Sequence, residues 1–104
     1  MTDEGGLGRR RGWVVVLDPA VEDALLGMAK YDAAGEALYR ATLRFLRALA
    51  LETGAAHDAA KQPPGVRLSD GRLSLAVPRE PVLLYYVTLP DHRELRVTDL
   101  IWIA

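Results

Sequence analysis

The sequence predicts an α+β domain of order β-α-α-β-β-β, an antiparallel sheet with a helical hairpin packed on one face. Three observations predict it. An apolar run rich in β-branched residues, Trp13 to Leu17, comes first. Two stretches with apolar residues at helical spacing follow it directly. Three closely spaced segments of strand character then occupy the rest of the 104 residues. A single domain is expected over residues 13–104, because a chain of about 100 residues suits one modest core.

Each element has its own reason. Residues 1–12 carry Gly5, Gly6, Gly8 and Gly12 among charged residues, a composition that cannot bury apolar area and reads as a flexible arm. Trp13-Val14-Val15-Val16-Leu17 is continuous rather than alternating, as in a strand covered at least in part on both faces. Asp18-Pro19 ends it. Asp18 is a residue type that caps helices, and proline suits the first helical position, where its missing N–H costs nothing. Glu22 and Asp23 favour the helix N-terminus electrostatically. Val21, Leu25 and Met28 form the apolar stripe of a short helix that ends near Tyr31-Asp32 and is weakened by Gly27. The second helix spans about 34–52. Leu38, Ala41, Thr42, Phe45, Leu46 and Leu49 fall on one side, Arg40, Arg44 and Arg47 on the other. Thr53-Gly54 reads as its stop.

Residues 54–65, with Pro63, Pro64 and Gly65, read as a loop. Val66 to Val77 reads as one extended segment with a turn or bulge at Asp70-Gly71. Its Leu73, Leu75 and Val77 alternate with Arg72, Ser74 and Ala76, so one face is buried and one open. Val82 to Leu89, framed by Pro78 and Pro81, is the most apolar strand and should be central. Pro90-Asp91-His92-Arg93 turns the chain into Glu94 to Ile103, with Leu95 and Val97 inward, Arg96 and Thr98 outward.

Composition excludes several classes of function. Without cysteine, disulfides and thiolate metal sites are ruled out, and no metal or cofactor motif is found. No apolar run approaches the length of a membrane span. Arg9, Arg10 and Arg11 precede only five strongly apolar residues before Asp18-Pro19, so a signal peptide is not expected and a cytoplasmic location is. Thirteen Lys+Arg against 14 Asp+Glu give a net charge of −1, without the excess that phosphate-reading domains carry.

The order of elements resembles the RelE/ParE toxin superfamily, and three stretches carry the resemblance. Residues 70–77 (DGRLSLAV) look like its glycine-started strand, residues 81–87 (PVLLYYV) like its central strand with tyrosine, and residues 96–101 (RVTDLI) like its closing strand. The resemblance implies a toxin paired with a cognate antitoxin. In the RelE-like branch the target is mRNA on the ribosome, cut without a metal; in the ParE-like branch it is DNA gyrase. The chain departs from the family where basic groups are usual: Ala76 and Val82 stand at such positions, and it closes on Trp102-Ile103-Ala104. Cleavage would therefore rest on weakened catalytic residues, and the alternative is a non-enzymatic interaction domain on the same fold, with a homodimer compatible with either.

On this reading, Arg72, Arg96 and Tyr86 are the catalytic candidates. The arginines would hold a scissile phosphate and Tyr86 would stack on a base or donate a proton, with Tyr85 pointing the other way. Arg67 and Arg79 would close a basic rim around them. Arg40, Arg44 and Arg47 would meet RNA or an acidic partner. The competing reading is structural: arginines on a sheet pair with carboxylates such as Glu94, and central-strand tyrosines sit in the core with a satisfied hydroxyl. His92, in a turn beside Asp91, is a weaker acid–base candidate, and His57 with Asp58 is too few groups to hold a metal.

Overall fold

The structure, a computed structural model, describes residues 12–103; the arm expected over 1–12 lies, but for Gly12, outside them. In chain order the elements are β1 (Val14–Leu17), α1 (Pro19–Tyr31), α2 (Ala33–Asp58), β2 (Val66–Arg67), β3 (Leu73–Ala76), β4 (Val82–Leu89), a 3-10 turn (Pro90–His92) and β5 (Glu94–Trp102). The domain is α+β, with the helical hairpin on one face of a five-stranded sheet of order β1-β5-β4-β3-β2. The sheet is mixed rather than antiparallel throughout. β1 runs parallel to β5, with Val15 beside Leu95 and Leu17 beside Val97, while every other pairing is antiparallel. Parallel pairing needs a crossover, and the two helices supply it. β4 is central, as its apolar character predicts.

The segment 66–77 forms two strands rather than one. Leu68 N–H donates to the Arg72 carbonyl (2.8 Å) and Gly71 N–H to the Leu68 carbonyl (3.0 Å), closing a hairpin between β2 and β3. β5 carries a bulge that simple alternation does not predict. Tyr85 pairs with Asp99 but Tyr86 with Val97, which leaves Thr98 as the extra residue. The extra residue reverses the phase: Leu95 and Val97 point inward before it, Leu100 packs against the core after it, and Asp99 is turned to the open face.

The helices follow their apolar stripes. Val21, Leu25 and Met28 of α1 are buried, as are Leu38, Thr42, Leu46 and Leu49 of α2. They cover Leu73, Leu84, Tyr86, Leu95 and Val97 of the sheet. Asp32 caps α2, its Oδ1 accepting from Gly35 N–H at 2.7 Å. Gly35 lets α2 cross α1 closely, since a Cβ there would collide with the Met28 carbonyl.

Two helix-end expectations are corrected. Asp18 stands at the N-cap position of α1 but its side chain makes no capping bond; it accepts from Arg96 instead. Thr53-Gly54 does not stop α2, which continues to Asp58. Gly54 serves contact rather than termination: a Cβ there would lie 2.8 Å from Cδ1 of Trp13. Tertiary packing of the indole outweighs the local preference of Thr-Gly for a helix end.

Candidate functional site

The face of the sheet away from the helices carries two of the predicted catalytic residues, each with its own set of partners. Arg72 enters it from the start of β3 and Arg96 from β5, with β4 between them. Neither guanidinium is free. Arg72 Nε donates to Asp70 Oδ2 at 2.8 Å and Nη1 to Asp99 Oδ2 at 2.6 Å, and its guanidinium lies 4.8 Å from the centre of the Tyr85 ring. Arg96 Nη1 donates to Asp18 Oδ1 at 3.1 Å and Nη2 to Glu94 Oε2 at 3.3 Å. Two cations therefore face four carboxylates. The Arg72 backbone N–H and guanidinium hold the Asp70 carboxyl below the ordinary range, and Asp70, then Asp99, raise the guanidinium in turn. Thr98 Oγ1 donates to Asp99 Oδ2 at 2.9 Å, so the bulge residue helps to orient the carboxylate it displaced. A shallow hollow of about 350 Å³ lies beside Arg72 at the edge of this face, where β5 runs on past β1, lined by Arg72, Tyr85, Asp99 and Ile101 and by Ala20 and Val21 at the start of α1; Arg96 does not line it.

Tyr86 is not on this face. Successive residues of a strand alternate, and Val82, Leu84 and Tyr86 are the buried set of β4. The Tyr86 hydroxyl donates to the Pro64 carbonyl at 2.6 Å, and burial pushes its pKa up. Thr53 Oγ1 sits close enough to oppose part of that rise, but without hydrogen-bond geometry. A neutral, fully enclosed phenol of this kind holds the 59–65 connection to the core; it does not reach a ligand on the open face. Tyr85 occupies the position expected of Tyr86.

The remaining arginines are dispersed. Arg67 donates to the Gly71 carbonyl (3.1 Å) and to Gln62 Oε1 (3.4 Å), bracing the β2–β3 hairpin. Arg79 lies in the β3–β4 turn at the other end of β3, with φ of 66°. The two stand at opposite ends of β3 and form no common rim. Arg40, Arg44 and Arg47 do form an exposed row on α2. Arg40 pairs with Glu36 one turn away (3.0 Å), and Arg44 reaches the rim of a groove. His92 is exposed in the 3-10 turn. Among the described residues no three His, Cys, Asp or Glu side chains are grouped so as to hold a metal ion, and no helix is long and apolar enough to cross a membrane.

That groove, about 570 Å³, is a feature sequence reasoning missed. It runs between the start of α2 and the end of β5, over Leu38, Ala37, Ala41 and Pro81, with Tyr31 and Trp102 as its aromatic wall. The two rings meet edge to face, centres 5.4 Å apart. Tyr31 is 66% exposed and Ile103 70%, so large apolar surface borders a concave, mostly apolar floor. The alanines at 34, 37 and 41, at helical spacing, were the available signal: small residues on one stripe leave room beside a helix.

No family model, no curated protein and no solved structure matches this chain.

Proposed function

We propose that this domain works by binding a protein partner, as a non-cleaving relative on a RelE/ParE-like scaffold. The observation that carries this reading is the double pairing of Arg72 and Arg96. A phosphate approaching their face meets four carboxylates that already occupy both guanidiniums, and displacing them costs the charge-assisted hydrogen bonds they make. The resemblance names an antitoxin as the partner, and DNA gyrase as a further target. The groove at Tyr31, Leu38 and Trp102 supports a partner that inserts apolar side chains, with Arg44 at its rim to meet an acidic residue.

A second reading, metal-free mRNA cleavage on the ribosome, has one observation in its favour: Arg72 and Arg96 share the open face on either side of β4. Controlled expression in bacterial cells separates the two, with growth, mRNA integrity and the DNA-damage response as readouts. The binding reading expects intact mRNA, and expects growth effects and any co-purifying acidic partner to be lost in Trp102→Ala but kept in Arg72→Ala. Cut mRNA that disappears in Arg72→Ala would overturn it.

A further inference from the structure

The extension of α2 past Gly54 builds a second, smaller cavity at the opposite end of the helix from the groove. It measures about 70 Å³ and is lined by Trp13, Thr53, His57, Lys61, Arg67 and Thr88, with Pro63 and Pro90 beside them. Trp13 is only 8% exposed and Thr53 1%. The Trp13 Nε1 and Thr53 Oγ1 atoms are buried, and neither has a hydrogen-bond partner among the described residues. Indole N–H is a donor and nothing else, so a buried one without an acceptor is a desolvation penalty left open. Gly54 fixes it there, since its missing Cβ is what admits the indole against the helix, and the His57 ring, one turn further along, lies 5.5 Å from the indole between centres.

The charge around this cavity has one sign. Among the described residues, Lys61 and Arg67 line it and no Asp or Glu does. Arg67 uses its donors on two neutral oxygens, of Gly71 and Gln62, so its charge meets no carboxylate there. A donor-only indole N–H, a hydroxyl that can turn its proton inward and two cations around a space that holds a few waters form a receptor for an acceptor-only group. We infer that this cavity binds a small oxyanion, a phosphate or carboxylate group, with Trp13 Nε1 and Thr53 Oγ1 as its buried donors and Lys61 and Arg67 as its countercharge. The same chemistry serves a free ion or the terminal group of a larger ligand.

The 104-residue chain carries its own reporters, because its two tryptophans separate the cavity (Trp13) from the groove (Trp102). Titration with inorganic phosphate, followed by the indole N–H resonances in a ¹⁵N-labelled sample, should shift Trp13 saturably and leave Trp102 in place. Lys61→Ala, at an exposed position, and the isosteric Thr53→Val should each weaken that binding by about tenfold. Arms with acetate and with a nucleoside 5′-monophosphate at the same ionic strength distinguish the sources. Equal affinity for phosphate and nucleotide assigns a free ion; tighter nucleotide binding assigns the end of a larger ligand. A Trp13 shift that chloride reproduces at matched ionic strength, one unchanged in both variants, or no shift at all would overturn the site and leave a cavity filled by water.

Discussion

Tyr85 and Tyr86 are neighbours in sequence and belong to different regions of the molecule. Tyr86 faces the helices, where Leu73, Leu84 and Val97 enclose it and its hydroxyl has one fixed acceptor. Tyr85 faces outward, under the Arg72 guanidinium, in a cluster of charges open to water. The covered face is held by burial, which is strong and is not weakened when salt screens charges. The open face is held by ion pairs, which are individually weak near water and depend on ionic conditions. The difference teaches that the arginines there organise a surface more than they stabilise a fold.

The largest effect should come from cutting into the covered face. Leu84→Ala should cost about 2–5 kcal/mol, whereas Ile101→Ala on the other face should stay within about 0.5–1 kcal/mol; denaturant unfolding measures both. Comparable losses would erase the contrast. Next comes Gly35→Ala, whose new Cβ meets the Met28 backbone at the helix crossing, with an expected loss of about 1–3 kcal/mol.

Tyr86→Phe should cost about 1–2 kcal/mol, because the Pro64 carbonyl loses its donor, and Tyr85→Phe close to nothing. Tyr86 also predicts an alkaline limit. Its pKa is raised in the folded state, so its contribution is complete below the ordinary tyrosine value and falls as pH rises through the folded one. Unfolding measured across that range should lose this pH dependence in Tyr86→Phe. On the open face, Arg96→Ala should cost under about 1 kcal/mol, its side chain being 42% exposed, and the loss should shrink in high salt.

The smallest effect belongs to Asp70. Its pKa is lowered by Arg72, so its contribution is present above the ordinary carboxylate range and is lost as pH falls through the folded value. An acid titration should differ only slightly between wild type and Asp70→Asn; a large difference would mean that the open face carries more of the stability than its exposure implies.

Much of this architecture was legible in the chain, for local reasons. Val21, Leu25 and Met28 occupy one helix stripe because 3.6 residues per turn leaves no other choice, and Leu73, Leu95 and Val97 fall inward by strand alternation. The competing structural reading of the arginines, paired with carboxylates including Glu94, is the arrangement Arg96 adopts. The site was less legible. Assigning Tyr86 to the open face put the strand in the wrong phase, and nothing before Thr98 signalled the bulge that sends Asp99 to Arg72. The path of α2 beyond Gly54 was hidden because a glycine after threonine reads the same whether it ends a helix or admits a ring.

By itself, then, the sequence determined the two helices, the central place of residues 82–89 and the absence of thiol chemistry, since all of these follow from composition and periodicity along one stretch of chain. The tertiary structure decided the parallel seat of β1 beside β5, the distant partners of Arg72 and Arg96, the apolar groove, and the cavity under Trp13. Each of these joins residues far apart in the chain: Asp18 to Arg96, Arg72 to Asp99, Trp13 to Gly54. Contacts of that kind are set by how whole elements pack, and no local pattern encodes them.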